Sequence, residues 1–236
     1  MTAQSREVVF INRQPEQLRS LPLDPFLDAH KIDLRVGRRG WSTGLFRGYQ
    51  GIWELHDKRL YLLGLLDYAG DPIDTAQVFG TGHTATDLPR LADWFTGRLD
   101  LPRGPLLLRE HMGWGGRHAQ ILRLYLERGR LTHQRLYQQV PLMRRRLAEA
   151  MAHNHNLRAY VLTGRCIDRP EPLTWFTATG RQLLGLPAGA DTDPDADPED
   201  DPEDDHDGDD WLAAWAEKAL ARLRHPGQPP SAYSPR

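Results

Sequence analysis

The chain predicts an α+β fold. It is mainly an antiparallel β-sheet meander with one packed helix, plus a C-terminal helix on a disordered acidic linker. Three observations predict it. Short runs alternate with period two, as where Leu122, Leu124 and Leu126 oppose Arg123 and Glu127, the pattern of strands with one buried face. Polar reversals separate these runs, at residues 56–59 and 127–130. Helical spacing of apolar side chains is clear in only two places, residues 140–156 and 211–223, each with a stripe recurring at three and four positions.

In chain order, the β-branched run 7–11 is the first expected strand. Residues 14–29 carry Pro15, Pro22 and Pro25 and read as irregular, with a helical turn around residues 25–30. Residues 32–36 alternate well enough for a second strand. From 41 to 66, Tyr49, Gly51, Trp53 and Leu55 share one strand face; after the reversal, 60–66 is apolar on both faces, as a central strand requires. The connection 67–90 is long, and such loops are either functional or conceal an element. Residues 96–101 form a short strand that the Pro102-Arg103-Gly104 tripeptide is expected to turn back. The run 120–127 and the return from Leu131 complete the meander. In the body helix, Met143, Leu147, Ala150 and Met151 form the stripe, and Pro141 suits its first turn. Residues 158–162 read as a further strand. The last helix buries Leu212, Trp215, Ala216, Ala219 and Leu223, and its docking back on the body is the more ordinary outcome.

The expected organisation is therefore a β-rich domain over residues 1–187, an acidic linker at 188–210, an amphipathic helix at 211–225 and a disordered tail at 226–236. Length alone allows one sizeable core without covalent staples. A single cysteine, Cys166, rules out an internal disulfide framework. The start of the chain has no apolar signal-peptide core, and the leucine-rich run 60–66 is too short to span a bilayer. A cytoplasmic protein without membrane contact is expected.

Net charge of -2 conceals an asymmetry. Residues 191–210 hold 13 of the 32 acidic residues and no Lys or Arg, whereas residues 1–190 hold 26 Lys and Arg against 18 Asp and Glu, a net of +8. Either the acidic arm shields a basic surface, or the body meets an acidic partner while the arm preserves solubility. For a metal, His153, His155, Cys166 and Asp168 lack the paired spacing that ligation requires. Walker, dinucleotide and GxSxG patterns are absent. No cofactor and no metal are expected. Arg144, Arg145 and Arg146, with Trp41, Trp114 and Tyr137 to stack bases, keep nucleic acid as an alternative partner.

The densest chemistry lies in residues 109–118, REHMGWGGRH, where three glycines in four positions argue for a loop rather than a regular element. Aromatic and Arg side chains on such a loop are recognition chemistry; the bland alternative is a bulge with Trp114 folded back on the core.

Three segments, 47–62 (RGYQGIWELHDKRLYL), 92–104 (ADWFTGRLDLPRG) and 111–115 (HMGWG), resemble a bacterial β-rich family. Its members carry RGYxGxW…LYL, ADWFTGxLxxPxG and HMGY-type segments; Trp114 stands where that family has tyrosine. The resemblance covers about residues 40–135 and implies no established activity. By analogy with small bacterial β-rich proteins, it suggests an immunity or accessory role. The expectation is a non-enzymatic binding protein with a protein partner, contacting it through Trp41, Arg47, Trp94, His111, Trp114, Arg117 and His118. The alternatives are a nucleic-acid-binding protein autoinhibited by the acidic arm, and an enzyme with a site around His111.

Overall fold

A computed structural model describes residues 4–35, 43–80, 88–110, 114, 116–163, 167, 175–187 and 209–224. The strands are β1 (Glu7–Ile11), β2 (Gln14–Leu18), β3 (Gln50–His56), β4 (Arg59–Leu66), β5 (Arg90–Leu91), β6 (Gly97–Arg109), β7 (Gly116–Glu127) and β8 (Arg130–Gln138). They hydrogen-bond in the order β2-β1-β3-β4-β8-β7-β6, with β5 attached to β4. The pairing of β1 with β3 is parallel, whereas β1–β2, β3–β4, β4–β5 and β4–β8 are antiparallel. The sheet is thus large and mostly antiparallel, and its parallel pair departs from the pure meander. Several helices accompany it rather than the two expected: α1 (Asp24–His30), α2 (Ala76–Phe79), α3 (Val140–His153), α4 (His155–Thr163), α5 (Ala178–Leu184) and α6 (Asp209–Arg224).

Tight reversals close three of the hairpins. Asn12 and Arg13, Asp57 and Lys58, and Arg128 and Gly129 all have positive φ, between 46° and 72°. Two consecutive left-handed residues twist a two-residue loop in the sense of its flanking strands. Each pair includes an Asn, Asp or Gly, the types that tolerate that region.

The chain divides into two compact units. The larger comprises Ser5–Leu99, Leu124–His133 and Gly208–Arg236. Its register sets Val8 beside Ile52 and Val9 beside Trp53, so neighbouring side chains of the same height share a face. On one face Val8, Phe10, Ile52 and Leu66 meet Leu212, Ala216 and Ala219 of α6. The amphipathic C-terminal helix therefore docks on this unit's own sheet. Gly64 receives it: a Cβ there would run into the Leu223 side chain. Arg222 completes the seat by donating to the carbonyls of Ala69 and Gly70, at 3.1 and 2.7 Å.

The smaller unit comprises Met1–Gln4, Asp100–Arg123 and Gln134–Asp207. Its core joins Leu107, Ala119, Met143, Tyr160, Val161, Phe176 and Leu184. Thr177 caps α5 by accepting from the Gly180 N–H at 2.8 Å while donating to the Leu106 carbonyl at 2.6 Å. Gly180 lies so close to the Leu107 carbonyl that a side chain there would collide with backbone.

Four local expectations are corrected. Residues 158–162 lie in α4, not a strand: Leu157, Tyr160 and Val161 recur at helical spacing and bury together, and that packing overrides the β preference of Tyr and Val. Residues 32–35 form no strand, because the Asp33 carboxylate accepts from the Arg35 backbone N–H and pairs with its guanidinium, holding a turn. Pro102-Arg103-Gly104 does not reverse the chain; β6 continues through it, with only Gly104 left-handed, at φ 67°. Gln14–Leu18 is a strand, not irregular chain. Pro15 is tolerated because β2 ends the sheet order and needs no second partner. The acidic segment expected to be disordered falls almost wholly outside the described residues, and residues 209–210 begin α6.

Candidate functional site

Of the residues expected to make contact, Trp41 and His111 lie outside the described residues. Arg47 and Trp94 fall in the larger unit; Trp114, Arg117 and His118 fall in the smaller.

Arg47 turns inward. Its Nε lies 3.6 Å from Oε1 of Glu7, with 10% of the Arg47 side chain exposed and none of Glu7. The other carboxylate oxygen accepts a 2.5 Å hydrogen bond from the Trp53 indole N–H. Glu7 sits in β1, in a β-branched run, and parallel pairing carries it to the start of β3 beneath Trp53. Gly51 makes this possible, since a Cβ there would lie 2.5 Å from Trp53 Nε1 and 2.6 Å from Glu7 Oε2. Burial pushes the Glu7 carboxyl up from 4.5 to about 7; Arg47, the Trp53 indole and the Gly51 backbone act in the opposite sense and offset only part of the desolvation. Glu7 Oε1 and Arg47 Nε and Nη2 are buried without hydrogen-bond partners. Beside them the Tyr49 hydroxyl donates to Asp24 at 2.5 Å. Burial and the adjacent Glu7 and Asp24 raise the Tyr49 phenol far above its ordinary value, so it stays neutral and serves as a donor.

Trp94 occupies different ground. It is half-buried, and its indole N–H donates to the Pro22 carbonyl at 3.0 Å. Its ring lies 5.2 Å from Phe26 and 5.6 Å from Phe79, which are 5.1 Å from each other. His30 stacks on Phe26 at 4.1 Å, and the Arg90 guanidinium sits 4.2 Å from the centre of Phe79. Phe26, Phe79 and Arg90 are likewise half-buried. α1 contributes Phe26 and His30, α2 contributes Phe79, and β5 with the turn after it contributes Arg90 and Trp94. Tilted ring pairs at these separations are the favoured geometry for quadrupoles, and a guanidinium over a ring face adds cation–π attraction. The result is a preorganised apolar surface with one cation on it. Trp94 alone of this group was legible as a contact residue; Phe26 and Phe79 come from two other segments, and nothing in the spacing of Arg90 and Trp94 links them to those rings.

In the smaller unit Arg117 Nε donates to Glu110 at 2.7 Å, an ion pair whose side chains are 47% and 34% exposed. His118 Nδ1 is 3.0 Å from the Gly104 carbonyl. Trp114 is half-buried in a turn. Gly116, at φ 150°, lies against the Leu108 carbonyl, where a Cβ would come within 2.5 Å. The glycine at the entry to β7 thus answers a close backbone approach. Also in this unit, Arg123 makes a two-point ion pair with Asp100, at 2.6 and 2.8 Å. The guanidinium groups of Arg123 and Arg135 lie 4.9 and 5.1 Å from the centre of the Tyr137 ring.

Among the described residues no group of three or more His, Cys, Asp or Glu is placed to hold a metal ion, and no helix is long and apolar enough to cross a membrane. No family model matches the chain, and neither curated proteins nor solved structures match it.

Proposed function

We propose that this chain is a non-enzymatic binding protein that engages a protein partner through the aromatic surface around Trp94. One observation carries the reading: Trp94, Phe26 and Phe79 form a half-exposed ring cluster already locked in place, with Arg90 laid over it. Binding energy at protein interfaces concentrates on Trp, Tyr and Arg anchors held in preorganised settings, because little conformational entropy remains to be lost. Trp94 has its indole N–H satisfied within the chain, so an apolar partner can cover the ring without stranding a donor. Glu7, the carboxyl pushed up to about 7, is sealed beneath Trp53, which gives it a structural part in this reading rather than a place in proton transfer to a substrate. The most concrete form of the role is that of an immunity protein masking a toxin, and an accessory subunit needs the same surface.

The test is capture from the host of one stoichiometric partner by the full chain. Retention should drop by about ten-fold or more with Arg90→Glu or Phe79→Ala, and less with Trp114→Ala or Arg117→Ala. Retention unchanged by the first two refutes the assignment.

A second reading, contact with nucleic acid, rests on Tyr137 with Arg123 and Arg135 over its ring, a stacking and phosphate-neutralising combination. It predicts affinity for random single-stranded oligonucleotides that falls steeply with salt and rises when the acids of residues 191–210 are replaced by their amides. Salt-independent or absent binding refutes it.

A further inference from the structure

The larger unit holds a cleft of about 310 Å³ beside its docked C-terminal helix. Trp215, Lys218 and Arg222 of α6 line one side; Asp67 and Tyr68, in the turn that follows β4, line the other. We propose that this cleft binds a small aromatic monoanion, an aryl carboxylate, with its ring against Trp215 and Tyr68 and its charge at Lys218.

Three observations lead there. The volume lies at the lower end for small-molecule sites, roughly 300–1,000 Å³, which limits the ligand to one or two fused rings. Among the mostly polar groups of its walls stand two aromatic rings. Trp215 is half-buried with its inner edge in the α6 core, and Tyr68 is 47% exposed. The charges then select the head group. Arg222 Nη1 is engaged by the Ala69 and Gly70 carbonyls. Asp67 Oδ1 accepts the Ala69 and Asp71 backbone N–H groups, at 2.9 Å each, and so builds the turn. Those opposite charges balance. Lys218 is exposed and has no ion-pair or hydrogen-bond partner among the described residues, so it is the cation of the cleft open to a ligand. One cation with an acid nearby suits a single negative charge and disfavours a polyphosphate.

The site exists only while α6 is docked, so ligand and helix stabilise one another by mass action. This binding is independent of the protein–protein role assigned to Trp94.

The experiment follows tryptophan indole N–H signals of the ¹⁵N-labelled full chain during titration with 2-naphthoate, neutral 2-naphthamide and AMP. Trp215→Phe, which keeps an aromatic ring, assigns the Trp215 signal. Expected are a saturable Trp215 shift with submillimolar naphthoate affinity, and weaker binding of naphthamide and of AMP. Lys218→Gln should weaken naphthoate by about five-fold, the limit for an exposed charge pair, and leave naphthamide unchanged. The proposal is overturned by absence of a saturable shift, by equal affinity for acid and amide, by tighter binding of AMP, or by indifference of naphthoate to Lys218→Gln.

Discussion

Replacing Glu7 by Gln isolates the energetic consequence of a carboxyl buried beneath Trp53. The folded group titrates at about 7 against 4.5 for an ordinary glutamate. The native state therefore holds a proton in a range where the unfolded chain has released it. Glu7's contribution to stability is fully present below pH 4.5, declines as pH rises, and is lost above about 7. Two and a half units correspond to roughly 3–4 kcal/mol, at about 1.4 kcal/mol per unit. Glutamine matches the protonated carboxyl in shape and still accepts from the Trp53 indole, but it does not titrate. Any fixed cost of placing an amide near Arg47 shifts the variant's whole curve without changing its slope relative to wild type. Denaturant unfolding of both proteins across this pH range, at constant ionic strength, reads the difference. The stability of Glu7→Gln minus that of wild type should climb by about 3 kcal/mol between pH 4.5 and 7 and level off above. Parallel curves, or a difference that falls with pH, would refute the reasoning.

Three further substitutions probe the packing. Leu223→Asp places a charge against Gly64 on the sheet and should release α6, costing about 3 kcal/mol and removing amide-exchange protection from Asp209–Arg224. Gly180→Ala sets intrinsic helix preference, about 1 kcal/mol in favour of alanine, against collision with the Leu107 carbonyl; the collision should win, and a net loss of about 2 kcal/mol should appear in the urea midpoint. Arg117→Ala breaks only an exposed ion pair, so thermal stability should change by less than about 0.5 kcal/mol whatever happens to binding.

How far the sequence revealed this structure depended on whether a signal was local. The reversals at Asp57-Lys58 and Arg128-Gly129 were legible as polar breaks between apolar runs, each with one residue, Asp57 or Gly129, suited to positive φ. The helix stripes through Met143 and through Leu212 were legible because burial repeats at helical spacing. The course of β6 through Pro102-Arg103-Gly104 was not, since turn chemistry is the same whether a chain reverses or absorbs a left-handed glycine within a long strand. Residues 158–162 misread for a related reason: Tyr160 and Val161 favour strands locally, and only Met143 and Phe176, distant in sequence, pull them into a helical core. For the site, Trp94 stood out by residue type. Phe26, Phe79 and Arg90 join it only through tertiary packing, and nothing local in the run 7–11 marks Glu7 for burial beneath Trp53.

The assignment of the aromatic cluster as the contact surface is most directly tested by hydrogen exchange of the full chain, free and saturated with its captured partner. Added protection is predicted in peptides spanning α1, α2 and residues 90–95, around Phe26, Phe79, Arg90 and Trp94. Protection confined to other segments, with those three unchanged, would contradict it.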